Sequence, residues 1–433
     1  MDNAGYRTID KCRVCGSQHI TNVLSLGELY VSDFLDSPDN TRGAKASLEL
    51  VLCNAKDGGC GLLQLRHTVS NEVMYRNYWY RSGINKTMRD ELNDIAGKVR
   101  SVADLKPQDI VIDIGANDGT LLRGYKLPGL ATVGFEPARN LTQYNNEGTT
   151  KIIVDFFNHS AWQKEYGARR AKAITAIGMF YDLDDPNTFV SDLIKCLDDD
   201  GVLVIQMMYL PSFLERNAFD GICHEHLEYY SLGSLENLLK RHGLTVIDVE
   251  MREQINEGSA RFYIRKEHKG NAHKVFKGAA GRVTALRAKE ASMGLDGTQA
   301  YEALVNRILD AKEKVVSFIK QEVRNGKKVH GYAASTKGNT TLQFYGLTPD
   351  LVEAIADRNP DKWGKYTAGT LIPVISEEAS RAQRPDYYFI LAWHFLSEFI
   401  QREATFLGNG GKFIVPMPEF RIVDDELLCH SGG

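Results

Sequence analysis

The stretch Asp109–Leu122, DIVIDIGANDGTLL, decides the fold. A short run rich in β-branched residues, Ile110–Ile114, precedes a loop with two glycines, and helix-forming residues follow from Thr120. A buried strand, a tight loop and a helix start in this order predict the opening of a doubly wound α/β sheet. In such sheets ligands bind at the carboxyl ends of the strands, so the loop is the first candidate for a cofactor site.

The loop has Gly-x3-Gly spacing and lacks the Gly-x-Gly-x2-Gly pattern of a pyrophosphate cradle, which disfavours a dinucleotide cofactor. Glu136 ends the next strand, where a carboxylate can accept both hydroxyls of a ribose, and Asp155 closes the strand after it. This order resembles that of class I S-adenosylmethionine methyltransferases. The predicted cofactor-binding residues are Asp113, Gly115, Asn117, Asp118, Glu136, Asp155 and Met179. Taken singly, they can also be turn, strand-end and helix-cap residues.

Four of the seven cysteines lie in the first sixty residues, in KCRVCGS and in LVLCNAKDGGCGLLQL. Cys-x2-Cys is a usual zinc spacing, and Gly58 and Gly59 supply a turn within the wider second pair. The sequence therefore predicts a closed, structural zinc site with four thiolate ligands, as against ordinary buried thiols. The predicted ligands are Cys12, Cys15, Cys53 and Cys60.

Length and composition indicate a globular protein of several domains. The chain has 433 residues, 43% of them hydrophobic and 25% charged, with a net charge of −4. Neither nucleic acid nor an anionic membrane is expected as a partner. The sequence has no long apolar run and no signal-peptide pattern at its start, so we expect a cytosolic protein. Oligomeric state cannot be predicted from this sequence.

Helical spacing extends over 78–105, strands follow through GVLVIQMM and SARFYIRKE, and a charged helical stretch occupies about 268–325. A second α/β alternation then begins at KKVHGYAAS. Both halves are thus α/β, and neither has a Gly-x-Gly-x2-Gly loop, which leaves a dehydrogenase as a distant alternative.

The chain as a whole resembles the three-domain sugar C-methyltransferases, which use S-adenosylmethionine to methylate nucleotide-linked deoxy-keto-sugars. The two cysteine-containing segments, KCRVCGS and LVLCNAKDGGCGLLQL, are called the cysteine knuckles below. Besides these knuckles, five segments carry the resemblance in order: YWYRSGINKTMRDEL, DIGANDGTLL, GFEPARNL, FDGICHEHLEYYSLGSLENLL and GYAASTKGNTTLQFYG. The resemblance implies a zinc-binding domain at 1–72, a central Rossmann-like methyltransferase domain at 73–270 and a C-terminal Rossmann-like α/β domain at 271–433 that helps to hold the nucleotide sugar.

The resemblance also implies a mechanism. A base removes an acidic proton from a carbon next to the sugar ketone, and the carbanion attacks the methyl group in line. The family's HEH motif falls on His224, Glu225 and His226, with His226 the expected base, and Tyr80 matches a tyrosine near the sugar. The chain departs from the family at Cys223, where relatives have a tyrosine, and at Asp182, where they have a histidine.

In the C-terminal domain the resemblance implies nucleotide-sugar binding around GYAASTKGNT. Lys337 follows a strand and a small-residue turn, where backbone N–H groups and one ammonium can hold a diphosphate. The plain alternative is a turn between a strand and a helix that is capped by Asn339 or Thr340. The predicted substrate-binding residues are Lys337, Asn339, Asp357, Arg358, Lys362 and His394.

Two further functions stay open at this point. A methyltransferase of the same fold can act on an oxygen, a nitrogen or a non-sugar carbon acid, and the departures at Cys223 and Asp182 favour that alternative. A binding protein with an inactive methyltransferase fold is disfavoured by the intact loop at 113–119. The cysteine and histidines of FDGICHEHLEYYS do not have the His-Glu-x-x-His spacing of metalloproteases, so this segment is predicted to be an acid/base loop.

Overall fold

The structure is a computed structural model that describes residues 6–38, 43–76, 78–255, 258–267 and 276–425. The N-terminal unit consists mainly of antiparallel strands. Its strands and helix are β1 (Tyr6–Thr8), β2 (Ile20–Tyr30), β3 (Phe34–Leu35), β4 (Lys45–Cys53), β5 (Leu63–Leu65), β6 (His67–Val69) and α1 (Asn71–Tyr75).

The central unit is an α/β sheet unit, and the two cysteine knuckles precede it. Its elements are α2 (Lys86–Val102), β7 (Ile110–Ile114), α3 (Thr120–Gly124), β8 (Ala131–Phe135), α4 (Thr142–Asn145), β9 (Lys151–Ile153), α5 (His159–Tyr166), β10 (Ala171–Ile177), α6 (Pro186–Cys196), β11 (Leu197–Met208), α7 (Leu210–Glu215), β12 (Glu228–Tyr229), α8 (Leu232–Lys240), β13 (Leu244–Arg252) and β14 (Ser259–Lys266).

The strand order of the central sheet is β13-β14-β11-β10-β7-β8-β9. Strands β9, β8, β7, β10 and β11 are parallel, and β14 pairs antiparallel with both β11 and β13. All five residues of β7 are buried, as expected for a parallel strand covered on both faces. The order changes direction at β7, which places its loop at the switch point where ligands bind.

The C-terminal unit is the second predicted α/β unit. Its elements are α9 (Ala279–Met293), α10 (Gln299–Arg324), β15 (Val329–Tyr332), α11 (Thr336–Tyr345), β16 (Ile355–Asp357), β17 (Tyr366–Thr367), β18 (Val374–Ser376), α12 (Glu377–Ala382), β19 (Tyr387–Ile390), α13 (Leu396–Arg402), α14 (Ala404–Gly408), β20 (Lys412–Val415) and β21 (Arg421–Val423). The sheet order is β18-β16-β15-β19-β20-β21, parallel except for β21. The predicted fold class, with two α/β units behind a cysteine-rich one, is confirmed.

Two short strand pairs join the N-terminal unit to the other two. β12 pairs with β5 and completes the four-stranded sheet β12-β5-β4-β2, so a segment of the central unit is an edge strand of the N-terminal sheet. β17 of the C-terminal unit pairs with β3. The segment just after the HEH motif is therefore hydrogen-bonded to the cysteine-rich unit.

The helix predicted from Tyr78 begins only at Lys86. The backbone N–H of Ser82 donates to Asn117 Oδ1 at 3.0 Å and that of Gly83 to Asp118 Oδ2 at 2.7 Å. These side-chain acceptors hold the segment before the α-helix, which contains a 3₁₀ turn at Ser82–Ile84, against the loop after β7. In the described ranges no helix combines the length and apolar character needed to cross a membrane.

Candidate active site

The loop after β7 is shaped by backbone conformations that favour glycine. Gly115 has φ +72° and Gly119 has φ +79°. The N–H groups of Gly115 and Ala116 both donate to Phe135 O, at 2.9 and 3.0 Å. A Cβ on Gly115 would lie 3.1 Å from Met179 Cγ, so a larger residue would crowd the cleft as well as strain the backbone.

Asp113 and Glu136 lie at adjacent strand ends beside this loop. Asp113 Oδ1 accepts a 2.6 Å hydrogen bond from Thr175 Oγ1, and Glu136 accepts from the N–H groups of Asn117 (2.7 Å) and Ala138 (2.8 Å). Burial raises the pKa of Asp113 to about 7, with a smaller contribution from Glu136, and it also raises the pKa of Glu136. Both carboxyls are thus fixed at one edge of the sheet, with lone pairs left for a ligand.

A cavity of about 640 Å³ opens at this edge, a volume in the usual range for small-molecule sites. Its wall includes Asp113, Gly115, Asn117, Glu136 and Met179 from the predicted cofactor set. Asp118 and Asp155 do not line it. Asp118 instead holds Gly83 and Thr120, and Asp155 accepts from Arg76 at 3.2 Å, so both support the segments that surround the cavity.

The HEH motif lies beyond a 3₁₀ turn at Phe219–Gly221. His226 Nδ1 is 2.9 Å from Gly221 O, and because a carbonyl only accepts, Nδ1 carries the proton and Nε2 has the lone pair. Tyr181 packs edge to face on the imidazole, with ring centroids 4.5 Å apart. These contacts fix the ring with Nε2 as its basic atom.

Three other titratable groups surround His226. Burial raises the pKa of Glu225 to about 7, although Lys337 and a hydrogen bond from Thr336 lower it. Burial, and then the Glu225 carboxyl, raise the pKa values of Cys223 and Asp182 well above their ordinary values. Asp182 lines the cavity, and its Oδ1 is buried with no hydrogen-bond partner among the described residues.

His224 points away from this group. Its Nε2 lies 3.0 Å from Ala46 O in the N-terminal unit, and burial lowers its pKa to about 4. Tyr80 lines the cavity and is 39% exposed. His226, Glu225 and Cys223 lie just behind the cavity wall, which is formed there by Tyr75, Tyr181 and Asp182.

The C-terminal unit provides the opposite end of the cavity. Lys337 lies in the first turn of α11, whose cap Ser335 accepts from Gly338 N at 2.9 Å. Of the predicted substrate-binding residues, the following line the cavity: Lys337, Asp357, Arg358, Lys362 and His394. Asn339 does not, because its Nδ2 donates to Asp33 O at 3.0 Å and holds the N-terminal unit.

Sequence reasoning missed several residues of the cavity wall. Tyr181 lies in the turn after β10, so the strand-end rule could have placed it at the site, whereas Asp182 in the same turn is named in the sequence analysis only as a departure from the family pattern. Glu377 follows β18 in the same way, and it pairs with Arg402 at 3.0 Å. Arg402, on α13, has no local signal that would have identified it.

The four N-terminal cysteines form a compact cluster whose sulfur atoms all lie within 4.8 Å of one another. The Sγ atoms of Cys12 and Cys60 are 3.6 Å apart and those of Cys15 and Cys53 are 3.4 Å apart. Tetrahedral zinc with Zn–S bonds of about 2.3 Å places its sulfurs about 3.8 Å apart. A Cβ on Gly59 would lie 2.6 Å from Cys53 Sγ, so the knuckle needs glycine there. The donor set fits zinc.

Arg13, between the first two cysteines, links this cluster to the cavity. Its guanidinium donates to Leu65 O at 2.6 Å and to Thr68 Oγ1 at 2.7 Å, and it lies 3.5 Å from Asp184, which lines the cavity. Burial lowers the pKa of Arg13, and the charges of Glu228 on β12 and then of Asp184 oppose this shift. The first knuckle is thus in electrostatic contact with both the cavity wall and the segment after HEH.

Comparison with known proteins agrees with this architecture. Family models match a zinc binding domain at residues 12–75, a methyltransferase domain at 80–249 and a C-methyltransferase C-terminal domain at 254–418. The C-methyltransferase NovU of Streptomyces niveus is 31% identical over 424 residues, 97% of this chain and 98% of NovU. The chain belongs to the three-domain C-methyltransferase family.

Solved structures resemble the C-methyltransferase only in part. The plantazolicin methyltransferase BpumL, in complex with SAH, is 12% identical and covers 41% of this chain and 82% of its own, with a TM-score of 0.32. The magnesium protoporphyrin IX methyltransferase of Synechocystis PCC 6803, with bound SAM, is 9% identical and covers 41% and 79%, with a TM-score of 0.31. Similarity at this level carries no information about the acceptor.

The C-methyltransferase therefore uses S-adenosylmethionine as its methyl donor and holds structural zinc in the cluster of Cys12, Cys15, Cys53 and Cys60. The glycine loop and the carboxyls of Asp113 and Glu136 line the cavity at the edge of the sheet. The predicted family, cofactor and metal are confirmed.

Proposed function

We propose that the acceptor is a nucleotide-linked keto-deoxy-sugar and that the new methyl group goes onto a carbon next to its ketone. One observation carries the proposal. A single cavity extends from the cofactor loop, past the residues packed on His226, to Lys337, Arg358 and Lys362 in the C-terminal unit. A long anionic substrate is the kind of ligand that needs a methyl donor at one end of its site and several cations at the other.

Proton removal is assigned to His226. Its Nδ1–H is engaged by Gly221 O, which leaves Nε2 to take a proton from the carbon next to the ketone. The carbon–hydrogen electron pair moves toward the carbonyl, and the proton stays on the imidazole. When bound, S-adenosylmethionine would supply an electrophilic methyl group: the carbanion would form the new carbon–carbon bond while the methyl carbon–sulfur bond breaks and leaves its electron pair on the sulfur.

Asp182 is assigned to the ketone oxygen. Burial, and then Glu225, raise the pKa of the Asp182 carboxyl well above its ordinary value, which favours the protonated form that can donate a hydrogen bond. Its Oδ1 has no partner among the described residues and lies at the cavity wall. A donor there would stabilise the negative charge that develops on the oxygen. Tyr80, which lines the cavity, is proposed to orient the sugar, and Glu225, behind the wall, to raise the pKa of Asp182.

Lys337, Arg358 and Lys362 are proposed to hold the diphosphate. Lys362 is the most constrained, because its Nζ donates to Ala334 O at 2.7 Å and lies 3.6 Å from Asp357. The division at 72/73 and 270/271, a nucleotide sugar as small-molecule partner and a cytosolic location stay predictions.

The test is deuterium exchange. The protein is incubated in D₂O with a panel of nucleotide-linked 4-keto-sugars, and mass spectrometry follows deuterium uptake and, with labelled methyl donor, methylation. We expect exchange at one carbon of the sugar without the donor and methylation at the same carbon with it. Methylation without exchange would instead indicate an oxygen or nitrogen acceptor.

His224 and His226, separated only by Glu225, give a matched pair of variants. His226→Asn is expected to abolish exchange, whereas His224→Asn, altered only at the Ala46 contact, is expected to retain it. Full exchange in His226→Asn would show that another group is the base.

A further inference from the structure

Cys223, Glu225 and His226 bring three metal-ligating atoms together beside the cavity. The sulfur, a carboxylate oxygen and a ring nitrogen all lie within 4.8 Å of one another. The three residues are 1%, 7% and 5% exposed, so water competes little for these donors. Within the described residues this is a second cluster of this kind, separate from the four cysteines of the N-terminal unit.

A local turn produces the cluster. The backbone N–H of His226 donates to Cys223 O at 3.1 Å, which folds the side chains at the first, third and fourth positions of Cys-His-Glu-His toward one another. Tyr75 Oη also donates to Glu225 O at 3.2 Å, and Tyr229 Oη donates to Gly221 O at 3.0 Å. The turn is therefore held from both sides.

The donor types match those of zinc sites that keep an open position, where three protein ligands from Cys, His and Glu bind the ion. Metal-binding histidines usually donate their other ring N–H to a carbonyl or carboxylate, which fixes the ligating nitrogen. His226 does so, with Nδ1 at 2.9 Å from Gly221 O. Donor atoms around tetrahedral zinc are about 3.3–3.8 Å apart, so side-chain shifts of at most about 1.5 Å would close this cluster around an ion.

We propose that Cys223, Glu225 and His226 form a second metal site, for a thiophilic divalent cation such as Zn²⁺ or Co²⁺, and that its occupation inhibits the enzyme. The ion would bind through the Cys223 thiolate, a Glu225 oxygen and His226 Nε2, and the Cys223 thiol would release its proton to solvent. Because Nε2 is then ligated, it cannot accept a proton from the substrate. The inhibition rests on the proposed role of His226, whereas metal binding does not.

Nearby charge sets the strength of the site. Lys337 acts on both Glu225 and Cys223 and opposes a cation. The four-cysteine cluster offers four sulfur ligands, whereas the second cluster offers one sulfur among three donors, so the four-cysteine cluster should fill first. The second equivalent should therefore be the weaker and more readily removed one.

The first experiment counts metal. The full-length protein is dialysed against a series of free Zn²⁺ concentrations, and its zinc content is measured by mass spectrometry. The absorption spectrum of Co²⁺-loaded protein is a second measure of thiolate ligation. We expect two equivalents per chain in the wild type and one in Cys223→Ala. Cys196→Ala, which removes another buried thiol on α6, is the matched control and should keep two. Equal zinc content in wild type and Cys223→Ala would overturn the proposal.

A second variant and a second measurement distinguish loss of the metal site from misfolding. His226→Asn should also bind a single equivalent, and circular dichroism melting of each variant, with the four-cysteine site loaded, reports its fold. In the deuterium-exchange assay, added Zn²⁺ should slow the wild type at least tenfold, and a weak chelator should reverse the effect. The exchange rate of Cys223→Ala should be the same with and without added zinc. Two equivalents bound with unchanged exchange would support the metal site and contradict His226 as the base.

Discussion

Arg13→Ala is predicted to destabilise the protein far more than Arg7→Ala, although both arginines pair with Asp184. The Arg13 side chain is 2% exposed, and its guanidinium donates to Gln64 Oε1 (3.2 Å), Leu65 O (2.6 Å) and Thr68 Oγ1 (2.7 Å) in addition to facing Asp184. Removing one partner of a buried ionic network costs about 3–5 kcal/mol, because the other members stay buried without compensation.

Arg7 is the control. It pairs with the same Asp184, but its side chain is 51% exposed, and exposed pairs contribute about 0–1 kcal/mol. Urea unfolding of full-length, zinc-loaded protein, followed by fluorescence, should therefore give a first transition with about 2–5 kcal/mol less stability in Arg13→Ala than in Arg7→Ala. Equal losses of unfolding free energy in the two variants would refute the view that the buried Arg13 stabilises the contact between the first cysteine knuckle and the cavity wall.

Three further predictions concern zinc, pH and substrate binding. Zinc removal, or Cys53→Ser, should lower methyl transfer and the thermal midpoint together, because β12 pairs with β5 of the zinc unit; unchanged transfer in zinc-free protein would contradict this. Asp113 has a pKa of about 7 in the folded protein against 3.8, so the fold holds a proton that the unfolded chain releases. The Asp113 carboxyl should then contribute a fall in stability of about 2 kcal/mol as pH rises from 5 to 7 in the donor-free protein, and Asp113→Asn should lose this contribution but keep the one from Glu225, whose pKa is also about 7, measured by urea midpoints; parallel pH profiles would contradict the assignment. Lys337→Ala should raise the KM for a nucleotide sugar about 10-fold or more by loss of a charge-assisted contact, whereas Lys312→Ala, outside the cavity wall, should leave KM unchanged in steady-state assays.

Local signals in the sequence were sufficient to predict the first strand and loop at the edge of the central sheet. The strand at Ile110–Ile114 and its loop depend on apolar residues and glycines that are close in sequence, and the structure has them where predicted. The same holds for the four cysteines, because paired cysteines at this spacing are typical of zinc sites.

Contacts distant in sequence could not be predicted. The helical spacing from Tyr78 is real, but Asn117 and Asp118 take the N–H groups of Ser82 and Gly83 that a longer helix would need. Spacing also gave no sign that Cys223, Glu225 and His226 would converge, since a single turn hydrogen bond decides it.

The pairing of His224 with Ala46 O depends in the same way on which unit packs against the loop. Where a side chain's role is set by another unit, the sequence around it cannot specify that role.

The strand pairs β5·β12 and β3·β17 have a consequence for how the protein is made. The N-terminal unit leaves the ribosome first, but its main sheet lacks an edge until Glu228 and Tyr229 have been synthesised, and β3 has no partner until Tyr366 follows. Contacts between residues so far apart in the chain form slowly, because a long loop must close before they contribute. We expect nascent chains that end before residue 228 to carry a zinc unit that binds metal yet stays sensitive to proteases, and to become resistant only after the last strand has been added.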